Sequence, residues 1–407
     1  MITMGVRSHL IAENDHWLFF VAYTLLIVGS FIGSMDIGFN GTNIVYLIVV
    51  AIALPRLFSI RASHIAFIIA IAACGALGAC FLSARDPQVV VFAVLLLAST
   101  GIDFESIVRH SFRLAGTMLA LSLLLALVGI TPDTIVVREL HGRIVECHSL
   151  GFYHYSKVPT YWFFLYLSYA YITRKSYSFL RHSLWLIGGM LIYLVCFERL
   201  RFYLLIVAFV LFAISGLSRK KTVGRSLIAA TTMMFPGLFC ISYALAVFYS
   251  ESNSAMSILN DLLSGRLRLE NTALETFGIT LFGQNVEMNN TVGLSDPMQY
   301  MFVDAAFIYV PIVYGIIVGA ALLIFYTLLT RKAAQNNSPA LLIALICIAV
   351  DCFVGNQLLS IWLCPLPFYL ASAASTEEAG ECAEGSSGTP GPEFSHYRRR
   401  RNGYVQS

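Results

Sequence analysis

Long apolar stretches separated by short polar segments recur along most of the chain. A membrane-spanning helix needs about 20 apolar residues, and roughly a dozen stretches approach that length. The pattern therefore predicts an all-α, polytopic membrane protein with about twelve transmembrane helices. The predicted spans are 17–34, 42–59, 62–82, 88–102, 112–130, 159–173, 183–197, 202–217, 226–248, 301–329, 340–354 and 357–371.

Composition strengthens this prediction. Apolar residues make up 58% of the chain, charged residues only 12%, and the mean hydropathy is +0.75. These values lie outside the range of soluble globular domains. The net charge of +3 is attributed to basic loops between the spans, so it gives no reason to expect a nucleic-acid partner.

The distribution of Lys and Arg predicts the orientation, because these residues are enriched in cytoplasmic loops. The bias places both termini in the cytoplasm. Glu13 and Asp15 precede the first span, which is longer than a signal-peptide core, so this span is expected to be retained. Residues 1–371 are predicted to form the membrane domain and 372–407 a disordered cytoplasmic tail.

Two polar segments are much longer than the other connections. They cover about 131–158 and 249–300, and the predicted topology places both on the external side. Long loops on a rigid scaffold often carry the functional residues of a protein. Functional residues are therefore expected in these two segments.

The first loop contains His141, His148 and His154, whose imidazoles could act as general bases near neutral pH. The alternative is that they are amphipathic residues at the membrane interface. Cys147 lies among them, but the spacing matches no standard metal-ligand pattern. The remaining cysteines lie mostly in or beside apolar spans, so no disulfide framework is indicated.

The second loop contains a predicted helix start, with Ser264 as N-cap, Arg266 in the first turn and Gly278 at the end. Free backbone amides and the positive end of the helix dipole would join the Arg266 guanidinium in binding a phosphate or pyrophosphate. The alternative is an intrahelical ion pair with Glu270.

The sequence Glu-Arg-Leu-Arg at 198–201 lies between two predicted spans with almost no loop. Charges so close to the hydrocarbon are costly unless they are paired or functional. Arg199 and Arg201 would suit an anionic lipid headgroup, whereas Glu198 could simply neutralise one of them.

Several short segments resemble, in order, the motifs of the Wzy-type bacterial polysaccharide polymerases, which belong to the O-antigen ligase superfamily. Residues 149–154 (SLGFYH) resemble the SLGF-x-H-P-N signature, and 264–266 (SGR) and 281–283 (LFG) resemble later motifs. Residues 303–304 (VD) and 314–317 (YGII) resemble the VDNSY and YGII motifs. Tyr155-Ser156 replace Pro-Asn, and Ala305-Ala306 replace Asn-Ser, so the roles of those positions do not carry over.

The resemblance implies a membrane-embedded, metal-independent glycosyltransferase of the C type, without cofactor, in the bacterial plasma membrane. It would polymerise oligosaccharide repeat units carried on polyprenyl pyrophosphate into a surface polysaccharide such as O-antigen or capsule. The implied partners are this lipid-linked oligosaccharide, membrane lipids, a chain-length regulator and a flippase. Candidate site residues are Arg266 and Arg143 for pyrophosphate, with Arg199 or Arg201 in support. His154 or His148 would be the base, and Asp304 would orient the base or bind sugar.

Three alternatives stay open. An O-antigen ligase would share the architecture and the donor. A flippase or secondary transporter would show internal repeats and acids in mid-membrane, and Asp351 is the one plausible acid within a predicted span. Asp304, at the mouth of a span, could instead be a helix cap.

Overall fold

The computed structural model of the protein describes residues 16–58, 64–140, 143–217, 225–286, 288 and 302–372. Within these ranges nearly all regular structure is helical, with one two-stranded antiparallel sheet. The predicted tail at 372–407, apart from Ser372, and the last part of the second predicted loop, 287 and 289–300, lie outside the described residues. The helices are α1 His16–Ser34, α2 Thr42–Phe58, α3 His64–Ala84, α4 Gln88–Ala98, α5 Phe104–Leu127, α6 Lys157–Ile172, α7 Phe179–Cys196, α8 Arg199–Leu217, α9 Arg225–Thr232, α10 Met234–Val247, α11 Ser254–Leu262, α12 Arg266–Phe277, α13 Ala306–Val313, α14 Gly315–Gln335 and α15 Pro339–Asp351.

Five of the described helices, α1, α5, α7, α8 and α14, are long and apolar enough to cross a membrane. Large apolar side chains on them remain exposed, for example Leu124, Leu191 and Ile214. Lipid is the solvent that tolerates such a surface. The architecture is that of an all-α membrane protein. Other apolar helices are shorter, α2, α4, α10 and α15 among them, so the count of twelve spans stays a prediction.

Three predicted spans have a different structure from the one expected. The span at 226–248 is divided into α9 and α10 at Met233. The span at 301–329 is divided into α13 and α14 at Tyr314, and Gly315 there has φ +87°. The span at 357–371 contains no α-helix but two short 3₁₀ helices, Gln357–Leu359 and Leu366–Leu370. Pro365 and Pro367 lack the amide donors that an α-helix needs, which explains why an apolar segment does not become a span here.

Helix α6 lies at the centre of the bundle, packed against α5, α7, α8 and α15. It is buried on nearly every side, with fully buried aromatic residues that include Tyr161, Phe163 and Tyr166. Three helix ends meet at one end of this core: α6 begins at Lys157, α8 begins at Arg199, and α15 ends at Asp351. Their sequence positions alone would not place them together.

The first predicted loop contains a β-hairpin, formed by β1 Ile135–Leu140 and β2 Arg143–His148. Val136 pairs with Cys147, and both are buried against Tyr155. Backbone hydrogen bonds from Asp36 to Gly151 and from Tyr153 to Ser34 tie the segment after the hairpin to the end of α1. The described part of the second predicted loop contains α11 and α12.

Two of the segments that resemble polymerase motifs pack directly against each other. The amide of Gln284 donates to the carbonyl of Val313 at 3.0 Å, and the amide of Ile316 donates to Thr280 at 2.9 Å. Gly283 and Gly315 both have positive φ, and a Cβ on either would overlap backbone atoms of the other segment. Both positions therefore require glycine.

Candidate functional site

A cavity of about 360 Å³ opens where α6, α8, α12 and α15 converge with the hairpin. Five cationic side chains line it and only two carboxylates, so the lining carries an excess of positive charge. The cations are Arg138, Lys157, Arg199, Arg201 and Arg266, and the carboxylates are Glu198 and Asp304. Such a cavity favours a polyanionic ligand.

Five residues predicted from the sequence as site residues lie in this lining: His154, Arg199, Arg201, Arg266 and Asp304. They come from four separate parts of the chain that the sequence does not place together. The structure thus brings guanidinium, imidazole and carboxylate groups into one cavity.

Arg201 lies in the most enclosed part of the lining. Its Nη1 donates to Oδ1 of Asp351, and the two side chains are 7% and 2% exposed. A Cβ on Gly355 would overlap the Arg201 guanidinium, so this glycine leaves room for the arginine. The ion pair joins the start of α8 to the end of α15.

Arg266 lies in the first turn of α12, as predicted, and is the first residue of the helix. The predicted N-cap, Ser264, was wrong by one position. The N-cap is Gly265 with φ +83°, and Gly278 is the C-cap. Nη2 of Arg266 lies 3.1 Å from Oδ2 of Asp304, and Nη1 donates to the Leu263 carbonyl at 3.2 Å. The side chains of this pair are 16% and 30% exposed.

Ser264 has a different role from the predicted one. Its Oγ accepts a hydrogen bond from Nη2 of Arg199 at 3.2 Å. This contact links the start of α8 to the turn before α12. It holds Arg199 on the same side of the cavity as Arg266.

His154 lies beside these cations and is held by its neighbour Ser156. The Ser156 amide donates to Nδ1 at 3.2 Å, and the Ser156 hydroxyl lies 2.7 Å from the same nitrogen. Burial, followed by Lys157, Arg138 and Arg266, lowers the pKa of His154 from 6.5 to about 4. The ring is therefore neutral at pH 7, and because Nδ1 accepts, its proton is on Nε2.

Arg138 is a lining residue that the sequence reasoning missed. It lies on β1, its Nη1 donates to the Tyr155 hydroxyl at 2.5 Å, and its Cζ lies 5.2 Å from the centre of the Tyr155 ring. Lys157, also missed, lies over the Tyr153 ring with Nζ 4.7 Å from its centre. The signal for Arg138 was the β-branched run Thr-Ile-Val-Val at 134–137, which favours a strand, and a strand places Arg138 on the same face as Val136.

Glu270 is a buried acid next to the cavity, one turn after Arg266 on α12. It is 2% exposed. Burial, together with the negative charge of Asp304, raises its pKa from 4.5 to about 8, although the Arg266 cation opposes the shift. The carboxyl group is thus largely protonated at neutral pH. An ion pair with Glu270 was the alternative to an anion-binding role for Arg266, and the structure shows Arg266 in contact with Asp304.

Two other predicted residues are not among those that line the cavity. His148 pairs with Ile135 at the end of the hairpin, on the face opposite Val136 and Cys147, and its Nδ1 lies 2.6 Å from Oδ2 of Asp133. Arg143 begins β2, and its side chain is outside the described part of the chain. Among the described residues, no three His, Cys, Asp or Glu side chains cluster as metal ligands would.

Comparison of the chain with protein-family models, with curated proteins and with solved structures finds no match.

Proposed function

We propose that this protein is a membrane glycosyltransferase that polymerises polyprenyl-pyrophosphate-linked oligosaccharide repeat units into a surface polysaccharide at the external face of a bacterial plasma membrane. The observation that carries the proposal is the cavity, where Arg138, Arg199, Arg201 and Arg266 surround His154 and Asp304 beside the ends of apolar helices. The order of the motif-like segments along the chain adds independent support.

The proposed reaction needs little beyond charge stabilisation and proton transfer. The acceptor hydroxyl oxygen forms a bond to the anomeric carbon of the donor sugar, while the bond from that carbon to the pyrophosphate oxygen breaks. The electron pair leaves with the pyrophosphate, and the hydroxyl proton passes to a base. Preorganised cations such as Arg199 and Arg266 would stabilise the negative charge that develops on the leaving group.

His154 fits this reaction better as a hydrogen-bond donor than as the base, because its Nε2 carries the proton. Nε2–H would donate to a pyrophosphate or sugar oxygen. Asp304 is the carboxylate that lies in contact with Arg266 and lines the cavity, so it becomes the leading candidate to accept the hydroxyl proton. Arg201 would keep its ion pair with Asp351 and hold the start of α8 in place, rather than leave Asp351 to bind the ligand.

A ligase that transfers the same type of donor to a lipid A core is the second candidate. It would use the same cationic cavity and differ in the acceptor. A flippase or transporter is favoured less, since the cations of the lining come from loops and helix ends rather than from the middle of the spans. A chain-length regulator and a flippase would be the partners of a polymerase.

The decisive experiment compares Arg266→Ala with Arg268→Ala. Arg268 lies two residues further along the same helix and is exposed, outside the cavity lining. Each purified variant is reconstituted into vesicles with isolated lipid-linked repeat units, and product length is measured on gels. Loss of one preorganised donor is expected to slow polymerisation by about 10²–10³-fold in Arg266→Ala, with no loss in Arg268→Ala.

Equal insertion of both variants into the membrane fraction is the control for folding. Normal polymer from Arg266→Ala would remove the anion-site role of this residue. If wild-type protein makes longer chains without a lipid A core acceptor, the ligase alternative is excluded. If it binds repeat units but makes no longer chains, the polymerase proposal is contradicted.

A further inference from the structure

A second cavity, of about 640 Å³, lies in a groove between α1 and α5. It is far from the first. The first cavity lies at the start of α6, whereas Arg174, just after the end of α6, bonds to Glu105 next to the groove. Helix α6 has 16 residues, so about 24 Å of helix separates the two ends.

The groove is lined by a polar stripe on one face of α5. Ser106, His110, Arg113 and Thr117 follow each other at intervals of three or four residues, and Arg109 lies beside them. Phe20 of α1 forms the opposite wall, with its ring 5.2 Å from that of His110. A helix presents residues at this spacing on one side.

Arginines outnumber their acidic partners around this groove. Glu105 accepts hydrogen bonds from both Arg109 and Arg174, at 2.9 Å from Nε and from Nη2 respectively. Arg113 is exposed and makes no ion pair with the described residues. One guanidinium is therefore left to bind an anion from outside the bundle.

The residues of α5 predict that the groove lies at the depth of lipid headgroups. Helix α5 is one of the candidate spans, and from Leu114 onward it is almost purely apolar, with Leu121, Leu124 and Leu127 exposed. Arg113 marks the end of this apolar surface. The distribution of Lys and Arg predicts this end to be cytoplasmic, where anionic lipids attract basic groups beside the membrane.

We propose that the groove between α1 and α5 binds the phosphate of an anionic phospholipid, with Arg113 as the principal contact and Arg109 as its support. The lipid chains would lie along the exposed leucines of α5 and beside Phe20. The headgroup phosphate supplies the negative partner that Arg113 lacks among the described residues. This site is separate from the glycan cavity and does not depend on the function proposed for it.

The experiment titrates the full-length protein in detergent micelles with phosphatidylglycerol and, in parallel, with phosphatidylcholine, and counts bound lipids by native mass spectrometry. Wild-type protein is expected to bind the first phosphatidylglycerol more tightly than phosphatidylcholine. Arg113→Gln should weaken that first binding by about fivefold, the contribution of one basic group near an anionic surface. Binding of phosphatidylcholine should not change.

Arg181→Gln is the matched control, because Arg181 is an exposed arginine at the start of α7, on the side predicted to be cytoplasmic and outside the groove. It is expected to bind phosphatidylglycerol as wild-type protein does. An unchanged affinity in Arg113→Gln, an equal loss in Arg181→Gln, or displacement of the lipid by the same concentration of soluble glycerol 3-phosphate would overturn the proposal. Monodisperse elution of each variant shows that it is folded.

Discussion

Arg201 and Arg266 line the same cavity, and the Arg201–Asp351 and Arg266–Asp304 ion pairs consist of the same chemical groups, yet their surroundings differ. The side chains of the first pair are 7% and 2% exposed, and those of the second are 16% and 30% exposed. A buried pair has lost its water and cannot release one partner without a large cost. A pair that still meets water can exchange its carboxylate for a ligand at little cost.

The difference indicates separate roles for two arginines, Arg201 and Arg266, which were both predicted from the sequence to contact the anionic substrate. Arg201 fastens the start of α8 to the end of α15, where Gly355 leaves room for its guanidinium. Arg266 extends from a helix start beside Asp304 towards the cavity. The first is expected to matter for stability and the second for ligand binding.

The largest expected effect comes from breaking the buried pair. Arg201→Ala leaves the Asp351 carboxylate buried without its cation, and such changes cost about 3–5 kcal/mol. We expect aggregated or degraded protein, measured as loss of the monodisperse peak in size-exclusion chromatography and as a lower thermal unfolding midpoint.

The double variant Arg201→Met, Asp351→Leu removes both charges and provides the control. It is expected to recover most of the lost stability, because apolar replacements of a buried pair are often neutral or better. Wild-type stability in the single variant would show that the pair is not structural. Full polymer synthesis by the double variant would show that Arg201 does not contact the substrate.

The next effect separates two roles for His154. A donor role through Nε2 predicts that His154→Gln, whose side-chain amide can still donate, keeps much more activity than His154→Ala. Loss of a hydrogen bond to a charged group costs about 1.5–3 kcal/mol, so His154→Ala should be slower by roughly 10- to 100-fold. Because the pKa of His154 is lowered to about 4, the rate should show no step near pH 6.5 that depends on this residue.

Rates of both variants are measured from pH 5 to 8 on lipid-linked repeat units. Equal loss in His154→Gln and His154→Ala, with a step near pH 6.5 in the wild type that both variants lack, would restore the base role. The same substitutions at His148, which is outside the cavity lining, are expected to leave the rate unchanged.

The local features of the site could be predicted from the sequence. Arg266 falls in the first turn of α12 and Gly278 ends that helix, because an arginine-bearing helix start and a terminal glycine are signals within a few residues. Arg199 was predicted to lie in the short connection between two spans, and the structure begins α8 at this residue. Hydropathy also located the long apolar helices, because the apolar character of a span depends only on residues within that span.

The pairings between distant segments could not be predicted. Arg201 and Asp351 are 150 residues apart, and nothing in either neighbourhood identifies the other. Arg138 enters the cavity only because β1 pairs with β2 and packs on Tyr155. Hydropathy also misjudged 357–371, because it scores apolar side chains and ignores the backbone donors missing at Pro365 and Pro367.

A smaller effect concerns Glu270, whose pKa is raised from 4.5 to about 8 in the folded protein. Between these values the folded state binds more protons than the unfolded state, so this group makes stability fall as pH rises from about 4.5 to about 8. The slope for one group is at most about 1.4 kcal/mol per pH unit. Thermal unfolding of Glu270→Gln across this range should depend less on pH than that of the wild type. A pH dependence as steep as the wild type's would mean that Glu270 ionises normally.

The smallest effect on stability is expected at the more exposed pair. Asp304→Asn removes the carboxylate beside Arg266, and the loss should be about 1 kcal/mol or less, as for other incompletely buried pairs. Pyrophosphate binding, measured by calorimetry, should be unchanged or tighter, because the ligand no longer competes with Asp304. Polymer synthesis should still fall if Asp304 accepts the proton of the acceptor hydroxyl. If Asp304→Asn weakens pyrophosphate binding and also causes a large loss of stability, the Arg266–Asp304 pair behaves like Arg201–Asp351. The difference in exposure would then not separate the roles of the two ion pairs.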